Sequence, residues 1–130
     1  MCVEELIKKA FEARKNSYCP YSGYSVGAAL ECKNGDIYLG CNIENAAYGP
    51  SNCAERTAIF KAVSEGNKDF SRIAIVGGHK GESDGPSPCG VCRQVMMEFC
   101  APDFEIIMAK DENDYRIMTL KDIFPEGFRL

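Results

Sequence analysis

The chain has 130 residues, of which 45% are hydrophobic and 26% are charged, and its formal net charge is −4. A chain of this size and composition can form its own core, so we expect one domain over residues 1–130. The acidic balance and the lack of a basic cluster argue against tight binding to a nucleic-acid backbone, which depends on clustered Lys and Arg. These properties favour a small-molecule substrate.

The N-terminal segment predicts a helix over residues 3–15, because its apolar residues recur at three- and four-residue steps and leave the opposite face charged. The segment has neither the pattern of a signal peptide nor an apolar run long enough to span a bilayer. We therefore expect a cytoplasmic protein that does not bind a membrane. In that compartment the eight cysteines are expected as thiols rather than as disulfides.

A β-hairpin is predicted next, because two strand-like runs flank the dipeptide Asn34-Gly35, which suits a tight turn. If these two residues form the whole loop, Cys41 faces Ala28 across the hairpin. Cys32 and Cys41 are then not cross-strand neighbours, and we expect no disulfide between them.

The second strand of the hairpin alternates between two kinds of side chain. The alternation predicts one core face, formed by Ile37, Leu39, Cys41 and Ile43. The other face presents Asn42 beside Glu44. Taken alone, this pair is also compatible with an ordinary solvent-exposed face.

Helices and strands alternate along the remainder of the chain. In order, the pattern predicts a helix over 53–65 with Asn52 as its N-cap, a strand over 72–78, a helix from Cys89, strands over 104–109 and 115–118, and a short helix capped by Thr119. This order predicts an α/β fold, built as three α/β/α layers around a mixed central sheet of about five strands.

Three cysteines carry a metal-binding pattern. Cys89 and Cys92 form a C-x-x-C pair at one predicted helix start, and Cys53 stands at another. Thiolates are preferred ligands of zinc, and catalytic zinc sites have three protein ligands with one open position. The positive end of a helix dipole lowers the pKa of a thiol placed there. The sequence therefore predicts a zinc ion held between two helix N-termini.

Two charged residues follow the first cysteine within one helical turn. Glu55 can reach a water on the metal without binding the metal itself, which is the placement that a proton shuttle needs. Three thiolates on a dication leave a negative centre, so we expect nearby cations to donate hydrogen bonds to the sulfur atoms. Arg56 beside Cys53, and Arg93 beside Cys92, are the candidates.

Other roles for the cysteines are weighed against this prediction. The C-x-x-C pair alone is equally compatible with a redox dithiol, but such a switch needs neither Cys53 nor Glu55. A structural zinc module would bring a fourth ligand, whereas the only histidine, His79, lies in a polar loop where we expect it to be solvated. Five further cysteines are expected as small buried or semi-exposed residues: Cys2, Cys19, Cys32, Cys41 and Cys100.

Three segments carry a recognisable signature: PYSGYSVGAAL, GCNIENAAYGPSNCAERTA and SPCGVCRQV. They contain the C-A-E and P-C-x-x-C motifs of zinc-dependent nucleobase and nucleoside deaminases. On these motifs the chain closely resembles the small homotetrameric cytidine deaminases, from about residue 3 to its last residues. The resemblance implies zinc-dependent hydrolysis of cytidine and 2′-deoxycytidine to uridine and 2′-deoxyuridine, with release of ammonia, in pyrimidine salvage.

The resemblance also implies a role for each matching residue near the base and the sugar. Glu55 would move protons from the zinc water to N3 of cytosine and then to the leaving amine. The backbone N–H of Ala54 would bind the pyrimidine O2, and the Ser87 carbonyl would lie near the amino group. Asn42 and Glu44 would hold the ribose hydroxyls.

Three aromatic residues complete the implied site. Tyr48 and Phe128 match residues that enter a neighbouring subunit's site, so a homotetramer would share its active sites. Tyr24 stands where most members of the family have phenylalanine against the pyrimidine ring, and its hydroxyl needs a partner. In having a tyrosine at this position the chain is also similar to blasticidin S deaminase, a relative that acts on a modified cytosine nucleoside. That activity is the alternative function.

Two alternatives from other classes stay open. A polynucleotide deaminase of the same fold would usually have histidine in place of Cys53 and would need a basic groove. A noncatalytic module stabilised by zinc would tolerate the loss of Glu55.

Overall fold

The computed structural model describes all of residues 1–130 and has a five-stranded sheet at its centre. The strands are β1 (Tyr24–Cys32), β2 (Ile37–Cys41), β3 (Phe70–His79), β4 (Glu105–Asp111) and β5 (Asp114–Thr119). They lie side by side in the order β2-β1-β3-β4-β5. Strands β3 and β4 are parallel, and every other neighbouring pair is antiparallel. The predicted mixed sheet of about five strands is confirmed.

Helices cover both faces of this sheet. They are α1 (Val3–Arg14), α2 (Ala54–Ser64), α3 (Gly90–Phe99) and α4 (Leu120–Ile123). Helix α1 buries Leu6, Ile7 and Ala10 in one apolar cluster with the sheet. The other three helices contribute to a second cluster on the opposite face, which is built around the alternate residues of β1, β3 and β4. The chain therefore forms the predicted α/β/α layers.

The register of the β1–β2 hairpin differs from the prediction by one residue. The Cys32 N–H donates to the Asp36 carbonyl at 2.9 Å, so the loop between paired residues is Lys33–Gly35. Of these three residues only Gly35 has a positive φ, of 94°. A third loop residue moves the pairing by one position, so Cys41 lies opposite Gly27 rather than opposite Ala28. Cys32 and Cys41 are both free thiols, as predicted.

Strand β2 is covered on both faces, so the prediction of one core face and one wet face is wrong for the strand itself. Ile37 and Leu39 pack against the α1 cluster, whereas Tyr38 packs against the cluster on the other face. Gly40 allows close contact with α2, because a Cβ there would lie 2.4 Å from the Ala54 carbonyl oxygen. This contact places the start of α2 beside the end of β2.

Helices α2 and α3 each begin one residue later than predicted, and in both the preceding cysteine is the N-cap. The N-cap of α2 is Cys53 rather than Asn52, whose side chain donates instead to the Thr57 hydroxyl at 3.2 Å. The N-cap of α3 is Cys89, and its sulfur accepts a hydrogen bond from the Cys92 N–H at 3.5 Å. None of the four helices has the length and hydrophobicity needed to cross a membrane.

Candidate active site

Two helix N-termini bring the three predicted cysteine ligands together. Cys53 precedes α2, Cys89 precedes α3, and Cys92 lies in the first turn of α3. Their sulfur atoms all lie within 4.8 Å of one another, and the Cys53 and Cys89 sulfurs are 3.7 Å apart. No other group of three or more potential metal ligands forms in the chain.

The spacing of the sulfur atoms fits zinc. Tetrahedral zinc with Zn–S bonds of about 2.3 Å holds its sulfur ligands about 3.8 Å apart. The 3.7 Å between Cys53 and Cys89 agrees with that distance. His79 is exposed and does not belong to the cluster, so no fourth protein ligand completes it. The donor set is therefore that of a three-thiolate site with one position open.

One thiol of the cluster, that of Cys53, is polarised toward ionisation. Arg56 donates a hydrogen bond from Nη2 to the Cys53 sulfur at 3.2 Å. Hydrogen bonds from the Cys92 thiol and from this guanidinium lower the pKa of Cys53 to about 5, although burial opposes the change. The hydrogen bond to Cys53 and burial raise the pKa of Cys92. A metal that binds all three sulfurs must therefore displace the thiol proton of Cys92.

Arg93 does not take the role that the sequence predicted for it. Its Nε donates to the Pro88 carbonyl at 2.8 Å, and its Nη1 donates to the Ile123 carbonyl at 2.6 Å. No hydrogen bond joins it to a sulfur atom. The residue therefore ties the segment before Cys89 to the end of α4, and Arg56 alone provides the expected bond to a thiolate.

Glu55 lies beside the thiol cluster and is almost fully buried, with 4% of its surface exposed. Burial, followed by the nearby negative charge of Cys53, raises the pKa of its carboxyl group to about 7. A carboxyl group with this pKa can both hold and release a proton near neutral pH. Its position next to Cys53, outside the group of metal ligands, agrees with the placement expected of a proton shuttle.

A cavity of about 370 Å³ opens in front of the cysteines and Glu55. Its volume lies in the range of small-molecule sites. Ten of the residues predicted for the site line it: Tyr24, Asn42, Glu44, Tyr48, Cys53, Ala54, Glu55, Arg56, Ser87 and Cys89. Cys92 is fully buried behind this wall, and Phe128 is 63% exposed and does not line the cavity.

The start of α2 offers free backbone donors at the cavity. No backbone carbonyl accepts a hydrogen bond from the N–H groups of the first three helical residues, Ala54–Arg56. Such N–H groups at a helix N-terminus bind anionic or carbonyl oxygens readily. Because Ala54 lines the cavity, its N–H is a candidate donor to a bound molecule.

Asn42 is engaged with the protein on most of its hydrogen-bonding atoms. Its amide nitrogen donates to the Tyr24 carbonyl at 2.8 Å, and its oxygen accepts from the Val26 N–H at 2.9 Å and from the Ser17 hydroxyl at 2.5 Å. One amide hydrogen is left for a ligand. Asn42 therefore also joins the segment after β2 to the start of β1, a role that the sequence did not predict.

Glu44 fixes the loop before β1. Its Oε1 accepts from the backbone N–H groups of Tyr21 and Ser22, at 3.0 and 3.1 Å, and its Oε2 accepts from the Ser22 hydroxyl at 2.5 Å. These hydrogen bonds, the Ser22 hydroxyl first, lower the pKa of the carboxyl group. The ionised carboxylate keeps further acceptor capacity at the edge of the cavity.

The hydroxyl of Tyr24 has a partner. It donates to the Gly77 carbonyl at 3.4 Å, and the ring packs edge to face against His79 with centroids 5.0 Å apart. Burial, followed by the charge of Asp84, raises the pKa of this hydroxyl. The polar end of Tyr24 is thus bonded to the protein.

Known proteins that are similar to this chain in sequence belong to one family. A family model described as the cytidine and deoxycytidylate deaminase zinc-binding region matches residues 1–108. The chain is 46% identical to a cytidine deaminase of Sporosarcina psychrophila over 98% of its own length and 92% of that protein. It is 47% identical to a cytidine deaminase of Halalkalibacterium halodurans over 95% of its length and 91% of that protein.

A solved structure gives the same result for the fold. The crystal structure of cytidine deaminase from Burkholderia pseudomallei superimposes with a TM-score of 0.89 at 43% identity, and the match covers 98% of this chain and 100% of that one. The sequence match and the fold match thus agree over nearly the whole length. The chain belongs to the family of deaminases that share the cytidine and deoxycytidylate deaminase zinc-binding region.

Proposed function

We propose that this protein hydrolyses cytidine and 2′-deoxycytidine to uridine and 2′-deoxyuridine, with release of ammonia. The observation that carries the proposal is the position of Glu55, which is buried beside the Cys53, Cys89 and Cys92 thiols at the wall of a cavity of about 370 Å³. Family membership supports the same reaction. The reaction is the one used in pyrimidine salvage.

The thiol cluster and Glu55 divide the chemistry between them. Zinc bound to the three thiolates supplies the Lewis acidity that makes a water molecule nucleophilic near neutral pH. Glu55 accepts the proton that the attacking water loses and delivers it to N3 of the cytosine ring. The hydroxyl group added at C4 then gives its proton to Glu55, which passes that proton to the amine as the C4–N bond breaks and the C4 carbonyl forms. Arg56 offsets the negative charge of the thiolates through its bond to Cys53.

Groups around the cavity orient the base. The N–H of Ala54 donates to the pyrimidine O2, and the Ser87 carbonyl accepts from the amino group that leaves. The aromatic face of Tyr24 packs against the pyrimidine ring. Because its hydroxyl bonds to Gly77, we propose that it packs as phenylalanine would.

The sugar is held at the other end of the cavity. The remaining amide hydrogen of Asn42 and the carboxylate of Glu44 bind ribose hydroxyls. Both side chains are fixed in place by their bonds to the chain, so little side-chain entropy is lost when the sugar binds.

We also propose that the chain acts as one domain over residues 1–130, in the cytoplasm, as a homotetramer. Tyr48 and Phe128 would then enter a neighbouring subunit's site. Their exposure of 89% and 63% supports this, because large aromatic side chains on a surface are typical of interfaces. Analytical ultracentrifugation tests it, and a monomer with full activity would contradict the shared site.

Ammonia release from cytidine by the purified protein tests the reaction, with adenosine, CMP and blasticidin S measured in parallel. Selective turnover of cytidine is expected. Turnover of blasticidin S without turnover of cytidine would instead support the alternative activity. If none of the four compounds is turned over by protein with one zinc bound per chain, the result would support a noncatalytic module.

A His79→Ala variant is expected to keep its zinc, because His79 lies outside the cysteine cluster.

A further inference from the structure

Arg14, the last residue of α1, is a buried arginine without an ionised partner. It is 8% exposed, and both ion pairs of the chain involve Glu31 instead. A buried cation needs hydrogen bonds to offset its lost hydration. The guanidinium donates to five neutral oxygens: the Ser25 carbonyl and hydroxyl at 3.1 and 2.9 Å, and the carbonyls of Gly78 at 3.0 Å, Gly81 at 3.1 Å and Glu82 at 2.5 Å.

Three of these acceptors belong to the end of β3 and the tight turn that follows it. The Glu82 N–H donates to the His79 carbonyl at 3.0 Å, and the two residues between them, Lys80 and Gly81, have φ values of 52° and 80°. Lys80 is the only residue other than glycine with a positive φ. A lysine disfavours this conformation, so contacts outside the turn must stabilise it. The convergence of three carbonyls on Arg14 is such a contact.

The turn leads directly into one wall of the cavity. The Ser83 hydroxyl accepts from the Gly77 N–H at 3.0 Å and donates to the Ala109 carbonyl at 2.6 Å, and the Asp84 N–H donates to the Gly77 carbonyl at 2.7 Å. Two residues later, Pro86 and Ser87 line the cavity. The position of the turn therefore determines where this wall begins.

The remaining two acceptors belong to Ser25 on β1, a strand that forms another part of the cavity wall. Ser25 stands between Tyr24 and Val26, which both line the cavity. The backbone of Arg14 is itself fixed against β1, because a Cβ at Gly27 would lie 2.6 Å from the Arg14 nitrogen. One guanidinium thus joins the strand that carries Tyr24 to the turn that leads to the other wall.

We infer that Arg14 is a positioning residue, which sets the separation between the Tyr24 wall and the Ser87 wall and thereby the affinity for the nucleoside. The identity of that ligand rests on the proposed function. Arg14 neither lines the cavity nor contacts Glu55 or the thiols. It therefore acts on binding and leaves proton transfer to Glu55.

The variant Arg14→Met tests this inference, because it removes all five hydrogen bonds and keeps most of the side-chain length. We expect the KM for cytidine to rise about tenfold, which corresponds to about 1.4 kcal/mol of lost binding free energy. The kcat and the zinc content should change little. The matched control is Arg72→Met, which removes the ion pair with Glu31 at the other end of the β1–β3 pair and should lower Tm without raising KM.

An unchanged KM in folded Arg14→Met protein, or an equal rise in Arg72→Met, would overturn the inference. If Arg14→Met does not fold, Ser83→Ala is the second variant, because it removes the hydrogen bonds of the Ser83 hydroxyl to Gly77 and Ala109. This variant should also raise the KM for cytidine. An unchanged KM in Ser83→Ala would likewise overturn the inference. If the wild-type protein does not turn over cytidine, the proposed function is contradicted instead. The inference is then decided by NMR, since the ring protons of Tyr24 and His79 must shift in Arg14→Met and not in Arg72→Met.

Discussion

Glu55 combines two properties that a surface carboxylate lacks. It is buried, and it stands next to a thiol whose pKa is lowered to about 5. Both properties disfavour the ionised carboxylate, so its pKa rises from 4.5 to about 7. The same environment that suits a proton carrier therefore opposes folding of the metal-free chain once the carboxyl group ionises.

This conflict predicts a pH dependence for the metal-free protein. Between pH 4.5 and about 7 the unfolded chain loses a proton that folded Glu55 retains, so the free energy of unfolding decreases as the pH rises. The interval between the two pKa values corresponds to about 3 kcal/mol. Urea unfolding should show the wild type losing about this much relative to Glu55→Gln across the interval, and no more above it. A pH-independent difference between the two proteins would contradict the assigned pKa.

At the residue scale, the sequence predicts best the groups that stand together in short motifs. Cys53 and Glu55 belong to one helix start, so their proximity follows from helical geometry. Arg14 could not be found in this way. Its acceptors lie 11 to 68 residues away and are mostly backbone carbonyls, which no side-chain pattern marks. The prediction for Arg93 was wrong for a related reason: its guanidinium donates to the backbone carbonyls of Pro88 and Ile123, which no side-chain pattern marks.

At the element scale, the site depends on how closely α2 approaches β2. The contact is made at Gly40, where a Cβ would lie 2.4 Å from the Ala54 carbonyl oxygen and 2.5 Å from the Ala58 nitrogen. Both neighbours are backbone atoms, which cannot move without the helix. A larger residue must therefore push α2 away from β2 and displace Cys53, the N-cap of α2, with it.

Gly40→Ala tests this dependence. Overpacking usually costs about 1–3 kcal/mol, and we expect the upper end, about 3 kcal/mol, together with faster loss of zinc to a chelator. The matched control is Gly49→Ala, because no heavy atom lies within 4 Å of its added Cβ. That variant should stay within about 0.5 kcal/mol of the wild type in urea unfolding. Equal stability and zinc retention in the two variants would contradict the importance of the contact.

The β1–β2 hairpin shows which structural details the sequence pattern does not determine. The Asn34-Gly35 pair correctly predicts a tight turn between two strands, but it does not decide between a two-residue and a three-residue loop. Only Gly35 adopts a positive φ, so the longer loop forms and the register moves by one residue. The sequence pattern also did not predict that both faces of β2 are covered, because this depends on where α2 packs.

At the scale of the whole molecule, the eight cysteines divide by burial. Cys2 is exposed, whereas Cys32 and Cys100 are each 2% exposed. Burial raises the pKa of Cys32 to about 11 and that of Cys100 to about 12. These two thiols therefore lack both access to solvent and thiolate character.

Alkylation of the zinc-loaded protein with iodoacetamide, followed by peptide mass mapping, tests this division. We expect Cys2 to react first, and Cys32 and Cys100 to react only after unfolding. All eight cysteines should carry free thiols in the native protein once zinc is removed. Modification of Cys32 as fast as that of Cys2 would contradict the packing described for β1.

The overall architecture was predictable because local and global signals agree. Apolar runs of strand length alternate with helical patterns, and this order leads to an α/β/α sandwich. The order of strands in the sheet was not predictable from the chain alone, since the pairing of β1 with β3 joins residues that are 38 to 55 positions apart. That pairing brings Tyr24 and His79 together beside the cavity.

The most direct test of the proposed function compares ammonia release from cytidine by the wild type and by Glu55→Gln, with zinc measured on both. Since Glu55 lies outside the cysteine cluster, both proteins should bind one zinc per chain. The wild type should turn over cytidine, and the variant should be slower by at least ~10²-fold, the scale of general acid–base catalysis. Near-normal turnover in the variant, or a zinc-loaded wild type that releases no ammonia, would contradict the account.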